Sequence, residues 1–253
     1  MEILVTSGGT RVPVDRVRHI ANMSRGTFGS KLATSLLCEN PSAELTFLRA
    51  VGSCSPLSVN IDIHSNDSIE CALKRLSDVV SLQSSVKGRY SEVSYKSFSD
   101  YAHSLEDICK NQRPDIVFLA AAVSDYGTKP LKGKVRSKSA EMSIPLKKLP
   151  KLIGRVRRWC PNAYLVGFKL LVDSTEKELI DAARDSIKKN GCDIVVANDL
   201  RDIQNDNHSV TLVLKDGGEF RQTAYGAMNY FEGPCTLAEW VVRVIMQDYK
   251  QKQ

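Results

Sequence analysis

"VTSGGTRVPVDRVRHIANMSRG", residues 5–26, starts as an apolar strand, turns through Ser7, Gly8, Gly9 and Thr10, and then delays its helix. In a doubly wound α/β protein the first strand passes to its helix through such a Gly-rich turn, so this handover decides the fold class. A dinucleotide fingerprint needs Gly-x-Gly-x-x-Gly directly between strand and helix, and a phosphate loop needs a closing Gly-Lys-Ser/Thr. Neither spacing occurs. A stretch containing Pro13, Asp15, Arg18 and Asn22 is interposed instead. A second small-residue turn with Ser24, Gly26, Thr27 and Gly29 then opens the helix, where free backbone N–H groups can hold phosphate. Arg18 and Asn22 are four apart, which puts them on one face if the segment makes a helical turn. A solvated turn with an amide cap is the plainer reading of the same residues.

Outward from this stretch, strand and helix signals alternate. A helix from 27 to about 37 has Leu32, Leu36 and Leu37 on its inner face, and 43–51 reads as a second strand. "VNIDIHS" (59–65) alternates like a strand, Asp67 or Ser68 can cap a helix through 82, and "SSVKGRYS" (84–91) reads as a surface loop. A helix over 99–110 leads to "DIVFLAAAVSDY" (115–126), a central strand delivering Ser124, Asp125 and Tyr126 at its carboxyl end. "AYLVGFKL" (163–170) is another, ending at Phe168 and Lys169. Ser174 with Glu178 opens a helix to 189, "CDIVVAND" (192–199) is a further strand, and 209–223 forms a hairpin turning at Asp216 and Gly217. The last helix covers about 237–249. The expectation is an α/β fold with a doubly wound, mostly parallel sheet of Rossmann-like type, helices on both faces and a C-terminal antiparallel hairpin. One domain over 1–253 is expected, with a basic flexible loop at about 127–140 and room for an insertion within 52–98.

Composition narrows the class. The chain is 42% hydrophobic and 25% charged, ordinary for a globular protein. It has no run near the ~20 apolar residues of a membrane helix. The opening "MEILVTSGG" runs straight into a strand and does not read as a signal peptide. Seven scattered cysteines without a Cys-x-x-Cys argue for reduced, mostly packed thiols in a cytoplasm, and against a disulfide framework or a zinc site. The net charge of +6 is local: residues 129–158 hold eleven Lys or Arg and one acid, Glu141. An anionic ligand near that segment is therefore expected.

Four strand ends carry polar residues: Ser7 to Thr10, Ser124 to Tyr126, Phe168 with Lys169, and Asn198 with Asp199. Each alone reads as a turn or cap; together they place four polar tips on the rim where ligands of such sheets bind. Lys134, Arg136 and Lys138 alternate, so an extended loop points all three toward a polyphosphate; a solvated basic loop is the bland alternative. Nucleic-acid binding is a rival use, but the loop lacks aromatic residues for base stacking. His19, His64, His103 and His208 show no ligand spacing.

In order along the chain, "VTSGGT", "VDRVRHIANMSRGTFG", "AAAVSDY", "KVRSK", "KLPKLI", "GFKLLVD", "IKKN" and "IVVANDL" resemble phosphopantothenoylcysteine synthetase of the coenzyme A pathway. The likeness is greatest to the free-standing bacterial type. The resemblance implies a ligase. A nucleoside triphosphate, CTP more than ATP, activates 4′-phosphopantothenate as an acyl-nucleotidylate, and L-cysteine then attacks to give the amide. It implies that Asn22 holds the acyl-nucleotidylate, that Arg18 binds phosphopantothenate, and that Ala122 contacts that substrate through its backbone. Lys134 then stabilises triphosphate charge from a closing loop, and Asp125, Phe168 and Lys189 contact the nucleotide. Gly8, Gly9, Thr10, Ser24 and Gly26 line its cradle. It further implies Mg²⁺ travelling with the triphosphate on few protein ligands, no flavin, and a cytoplasmic homodimer with no nucleic-acid or membrane partner. The chain departs from the family's pattern at Arg25, where a small residue is expected, and at residues 52–98, which match poorly. The stretch "AYGAMNYFEGP" (224–234) has no counterpart. The alternative is an NAD(P)-dependent reductase on the same fold. It predicts the dinucleotide fingerprint and an acidic residue at the second strand end, where Arg49, Gly52 and Ser53 stand.

Overall fold

The apolar runs of the sequence become neighbouring strands of one eight-stranded sheet in a computed structural model, which describes residues 1–58, 69–134, 141–204, 209–223 and 236–253. In chain order the elements begin with β1 (Glu2–Ser7), β2 (Arg11–Pro13), β3 (His19–Ala21), α1 (Thr27–Glu39), β4 (Glu44–Ala50), α2 (Ile69–Ser85) and β5 (Tyr90–Tyr95). Then come α3 (Phe98–Asn111), β6 (Ile116–Leu119), β7 (Tyr126–Gly127), β8 (Lys147–Lys148), α4 (Ile153–Trp159), β9 (Tyr164–Leu171) and α5 (Glu176–Asn190). The chain closes with β10 (Ile194–Asp199), α6 (Leu200–Gln204), β11 (Ser209–Leu214), β12 (Glu219–Thr223) and α7 (Leu237–Gln251).

The sheet order is β12-β11-β10-β9-β6-β1-β4-β5, with β5 through β10 parallel and β11 and β12 antiparallel. From β1 the chain steps outward to β4 and β5, then returns to place β6 on the other side of β1. Strand order therefore reverses between β1 and β6, and in a parallel α/β sheet the crevice at such a switch point is where ligands bind. Both faces are covered, which is why these strands are apolar at consecutive positions. Ile3, Val5 and Phe118 pack with Leu32 and Leu36 of α1 and Val241 and Ile245 of α7. Leu4, Val117 and Leu165 face the other way, onto Leu105 of α3, Val156 of α4 and Leu179 of α5. Truncating one of these buried leucines to alanine costs roughly 2–5 kcal/mol.

Helix starts follow their sequence signals closely. α3, α5 and α7 each open in a reciprocal capping box, Ser97 with Asp100, Thr175 with Glu178 and Thr236 with Glu239. The cap of α5 is thus Thr175, one residue beyond the expected Ser174. The hairpin turns where expected: Gly217 N donates to Leu214 O at 3.1 Å, and Gly218 N donates to Asp216 Oδ1 at 3.1 Å.

Three expectations are corrected. Within the run 115–126 the central strand ends at Leu119, and Tyr126 already belongs to the separate ribbon strand β7. The run's polar tail leaves the ladder because β1 ends at Ser7, save for one parallel bridge between Gly9 and Ala122. Second, "SSVKGRYS" is not wholly loop: Tyr90 and Ser91 begin β5, an edge strand whose polar side chains are mostly exposed. Third, the segment 19–21 after Arg18 is β3, paired antiparallel with β2, so Arg18 and Asn22 do not share a helical turn. "VNIDIHS", Arg136, Lys138, His64 and His208 lie outside the described residues.

Candidate functional site

Ser7 ends β1 and the chain turns at once, with Gly8 at φ +83°. A Cβ on Gly8 would lie 2.7 Å from Ala50 Cβ and 2.8 Å from Ser53 Cβ. Gly26, at φ +74°, starts α1 without a side-chain cap and rests on the same strand end: its Cβ would come within 2.8 Å of Ser7 Oγ. Ser7 Oγ donates to Gly26 O at 3.0 Å. The two small-residue turns, 18 positions apart in the chain, are thus stacked on Ser7 as one bipartite turn. The glycines serve close packing of protein on protein at Gly8 and Gly26, because only an absent side chain permits these approaches.

Between the turns, β2 and β3 form a ribbon. At its tip the buried Asp15 carboxylate accepts from Val17 N and Arg18 N, both at 2.9 Å, and from Arg18 Nε at 3.1 Å. Arg18 is therefore held at the tip of the ribbon and Asn22 stands at its root, about 13 Å apart along an extended chain. At the root, Asn22 Nδ2 donates to Ala122 O at 3.0 Å, and Thr10 N donates to the same oxygen at 3.2 Å. Ala122 N donates to Gly8 O at 2.8 Å, so both backbone groups of Ala122 are engaged within the chain. Thr10 Oγ1 accepts from Ser124 N at 2.9 Å and donates to Ser124 Oγ at 3.0 Å. Gly9, Thr10, Asn22, Ala122 and Ser124 are thereby brought together at the switch point, although a hundred or more positions separate the two chain segments. Ser24 follows directly, its N donating to Asn22 O at 2.8 Å.

The basic segment crosses the ribbon tip. Leu131 N donates to Val14 O at 2.9 Å and Arg16 N donates to Gly133 O at 3.1 Å. Lys134, the next residue, is exposed there, close in sequence to these anchors and beside the end of the ribbon that carries Arg16 and Arg18. The far arm of the segment returns as β8, pairing with β7, and Leu149 N donates to Asp125 O at 2.8 Å. Lys151 Nζ forms an ion pair with Asp125 Oδ1.

The nucleotide contacts implied by resemblance are dispersed. Phe168 stands on β9 and meets Phe28, in the first turn of α1, edge to face at 6.4 Å. β9 and β10 stay paired to Leu171 and Asp199, beyond the point where β6 stops, and form a raised wall beside the crevice. Lys189 is not on a strand tip: it lies in the last turn of α5, ion-paired with Asp185 at 3.2 Å. Its neighbour Asn190 faces Gly154 in the first turn of α4. Asp125, through Lys151, and Lys189, through Asn190, thus border the start of α4 from two sides.

The other polar tip serves folding. Asp199 is 3% exposed and accepts from Asp173 N, Ser174 N, Ser174 Oγ and Arg201 N. Burial pushes its pKa up, but these four hydrogen bonds outweigh burial and hold it down at about 2. Sequence reading grouped Asp199 with the site residues, and only its donor count separates it from them. At the second strand end, Arg49 Nη1 donates to Ser53 O at 3.0 Å, and its Nε pairs with Glu92 at 2.5 Å. Glu92 lies on β5, the strand the sequence reading overlooked, so this lock had no visible signal.

Among the described residues no three His, Cys, Asp or Glu side chains group to hold a metal ion. Six cysteines among the described residues are free thiols; Cys109, Cys160 and Cys192 are buried, whereas Cys38 and Cys71 are exposed. No helix among the described residues is long and apolar enough to cross a membrane.

Comparison with known proteins agrees with this architecture. Residues 1–86 and 96–228 match the family described as DNA/pantothenate metabolism flavoprotein C-terminal domain. The coenzyme A biosynthesis bifunctional protein CoaBC of Thermococcus kodakarensis is 32% identical over 215 residues, which span 85% of this chain and 45% of that protein. The chain thus spans less than half the length of that relative. Phosphopantothenate–cysteine ligase 1 of Arabidopsis thaliana is 30% identical, over 78% of this chain and 69% of its own. Among solved structures, the DNA/pantothenate metabolism flavoprotein of Streptococcus pneumoniae superposes with a TM-score of 0.74 at 25% identity, covering 100% of both chains. A Cab2 variant in complex with phosphopantothenate-cysteine shares the fold, with a TM-score of 0.78 over 99% of this chain and 86% of its own, at 24% identity.

Proposed function

Because the chain belongs to the family of the DNA/pantothenate metabolism flavoprotein C-terminal domain, we propose that it is a phosphopantothenate–cysteine ligase of coenzyme A biosynthesis. The observation that carries this reading is the junction at the switch point. There Asn22 from the interposed ribbon reaches Ala122 beyond β6, between a bipartite glycine turn and a basic segment.

In the first step a carboxylate oxygen of 4′-phosphopantothenate attacks the α-phosphorus of a nucleoside triphosphate, and pyrophosphate leaves. In the second, the cysteine nitrogen attacks the acyl carbon and the nucleoside monophosphate leaves with the bonding electron pair. Such steps need positioning and cations facing developing charge more than covalent help from the protein. Asn22 Nδ2 carries two hydrogens, and the bond to Ala122 uses one. The amide is thus held by the strand extension while its second N–H serves the acyl oxygen. Arg18, fixed by Asp15, binds the phosphate of phosphopantothenate. Lys134 neutralises charge on the leaving pyrophosphate. Phe168, Asp125 and Lys189 contact the nucleotide, with CTP preferred to ATP, and Ser24 and Gly26 lie near its phosphates. Mg²⁺ enters as the counter-ion of the triphosphate, part of the substrate. The enzyme acts as a homodimer in the cytoplasm.

The reductase alternative has no support in the geometry. The first turn lacks the Gly-x-Gly-x-x-Gly spacing, and at the second strand end Arg49, engaged by Glu92, stands where that reading needs an acid. The decisive experiment measures pyrophosphate release with CTP or ATP, 4′-phosphopantothenate and Mg²⁺, without and with cysteine. Release before cysteine is added, and amide after it, are the expected results. No release with either nucleotide overturns the ligase reading.

A further inference from the structure

We infer that Lys151 is a positioning residue of the nucleotide site, holding the Asp125 carboxylate so that its remaining acceptor sites meet the hydroxyl groups of the nucleotide. The inference rests on the ligase reading and extends it to a residue that no resemblance assigned.

The geometry comes from the ribbon that closes the basic segment. Tyr126 pairs with Lys148 and Gly127 with Lys147, and Leu149 N donates to Asp125 O at 2.8 Å. The contact is tight, since a Cβ on Gly127 would lie 3.1 Å from Leu149 Cδ2. The backbone of 147–149 is thus fixed against that of 125–127, and Lys151, two residues further on, reaches the Asp125 side chain. Asp125 in turn follows Ser124, which is bonded to Thr10 at the switch point. The ion pair therefore stands between the crevice and the start of α4.

Both partners remain open to solvent, Lys151 at 63% and Asp125 at 52% side-chain exposure. A pair this exposed adds little to folding stability. Its geometric consequence is larger. A carboxylate offers about four acceptor sites; the ammonium at Oδ1 biases its rotamer, and among the described residues no side-chain donor meets the other oxygen. The ammonium also offsets the repulsion between this carboxylate and an incoming polyphosphate, which an unpaired Asp125 would exert in full.

The test is a double-mutant cycle on Lys151→Ala and Asp125→Asn, read both as the Kd for CTP with Mg²⁺ by calorimetry and as steady-state pyrophosphate release. Lys151→Ala is expected to weaken CTP binding about tenfold, the equivalent of ~1.4 kcal/mol, and to raise the KM for CTP in parallel. A residue that acts through Asp125 and not on the reacting atoms leaves kcat within about twofold. Lys151→Arg restores binding to within about twofold, since a guanidinium also bonds the carboxylate. In the Asp125→Asn background, Lys151→Ala is expected to add no more than about twofold, the coupling of two residues acting as one unit. An unchanged Kd in Lys151→Ala overturns the inference. So does a full tenfold effect persisting in Asp125→Asn, which would mean that Lys151 contacts the nucleotide directly. Loss of the ligase reading registers separately, as CTP binding without pyrophosphate release by the wild type; binding of neither CTP nor ATP overturns both.

Discussion

An aspartate ends β10 and another lies in the segment that follows β6, and the two are built for opposite purposes. Asp199, at the end of β10, is buried and surrounded by four donors that pin the β9–α5 turn, where Asp173 takes φ +51°. Asp125, beyond β6, is half exposed and among the described residues has one ammonium at one oxygen. A carboxylate whose lone pairs are filled by its own chain has finished its work when the protein folds. One that keeps free acceptors at a switch point is available to a ligand. The contrast shows that strand-tip position alone does not mark a binding residue; the count of internal donors does.

The strongest test of that contrast lies on the open side. Lys134→Ala is expected to lower pyrophosphate release by about 10²–10³-fold, the usual loss when one charge-stabilising group is removed. Asn22→Asp is expected to keep that first step and slow amide formation, separating the two residues in a quench-flow assay. Wild-type turnover in both variants would remove the site from the open tip altogether. On the closed side, Asp199→Ala removes the acceptor of partly buried donors on Asp173, Ser174 and Arg201 and is expected to lower the unfolding free energy in urea by about 2–3 kcal/mol. With a folded pKa of about 2, well below the ordinary carboxylate value, Asp199 contributes stability that is complete above the unfolded value. That contribution is lost as pH falls from about 4 toward 2. The gap in stability between wild type and Asp199→Asn should therefore narrow over that window. Asp125→Ala is expected to change unfolding free energy by less than about 1 kcal/mol while weakening nucleotide binding. If it destabilises as much as Asp199→Ala, the two tips are not different in kind.

The smallest effect is expected far from both. α1 buries seven residues, whereas α2 buries none and leaves Ile69, Leu73, Leu76 and Val80 exposed. Leu76→Ser should shift stability by no more than about 0.5 kcal/mol in a thermal melt.

Sequence reading succeeded where the chain's own periodicity is loud. The doubly apolar strands, the start of α5 near Glu178 (within one residue of the cap) and the Asp216–Gly217 turn each carry their signal within a few residues. It failed at β5, because an edge strand buries little and needs no apolar alternation. It also failed at the ribbon of β2 and β3, where a four-residue spacing suits a helix and a strand pair alike. Of the site, residue types and the bipartite glycine pattern were legible at Ser7 to Thr10 and Ser24 to Gly29. The bond of Asn22 to Ala122, the occupancy of both Ala122 backbone groups and the Asp125–Lys151 pair were not.

The sequence by itself determined the layered α/β class, the location of the basic segment and the family, since each depends on local patterns or on residue identity in order along the chain. Only the tertiary structure decided which polar strand tips are spent on folding and which face the crevice. That distinction depends on donors arriving from distant segments, Ser174 to Asp199 and Lys151 to Asp125, and no local pattern records their arrival.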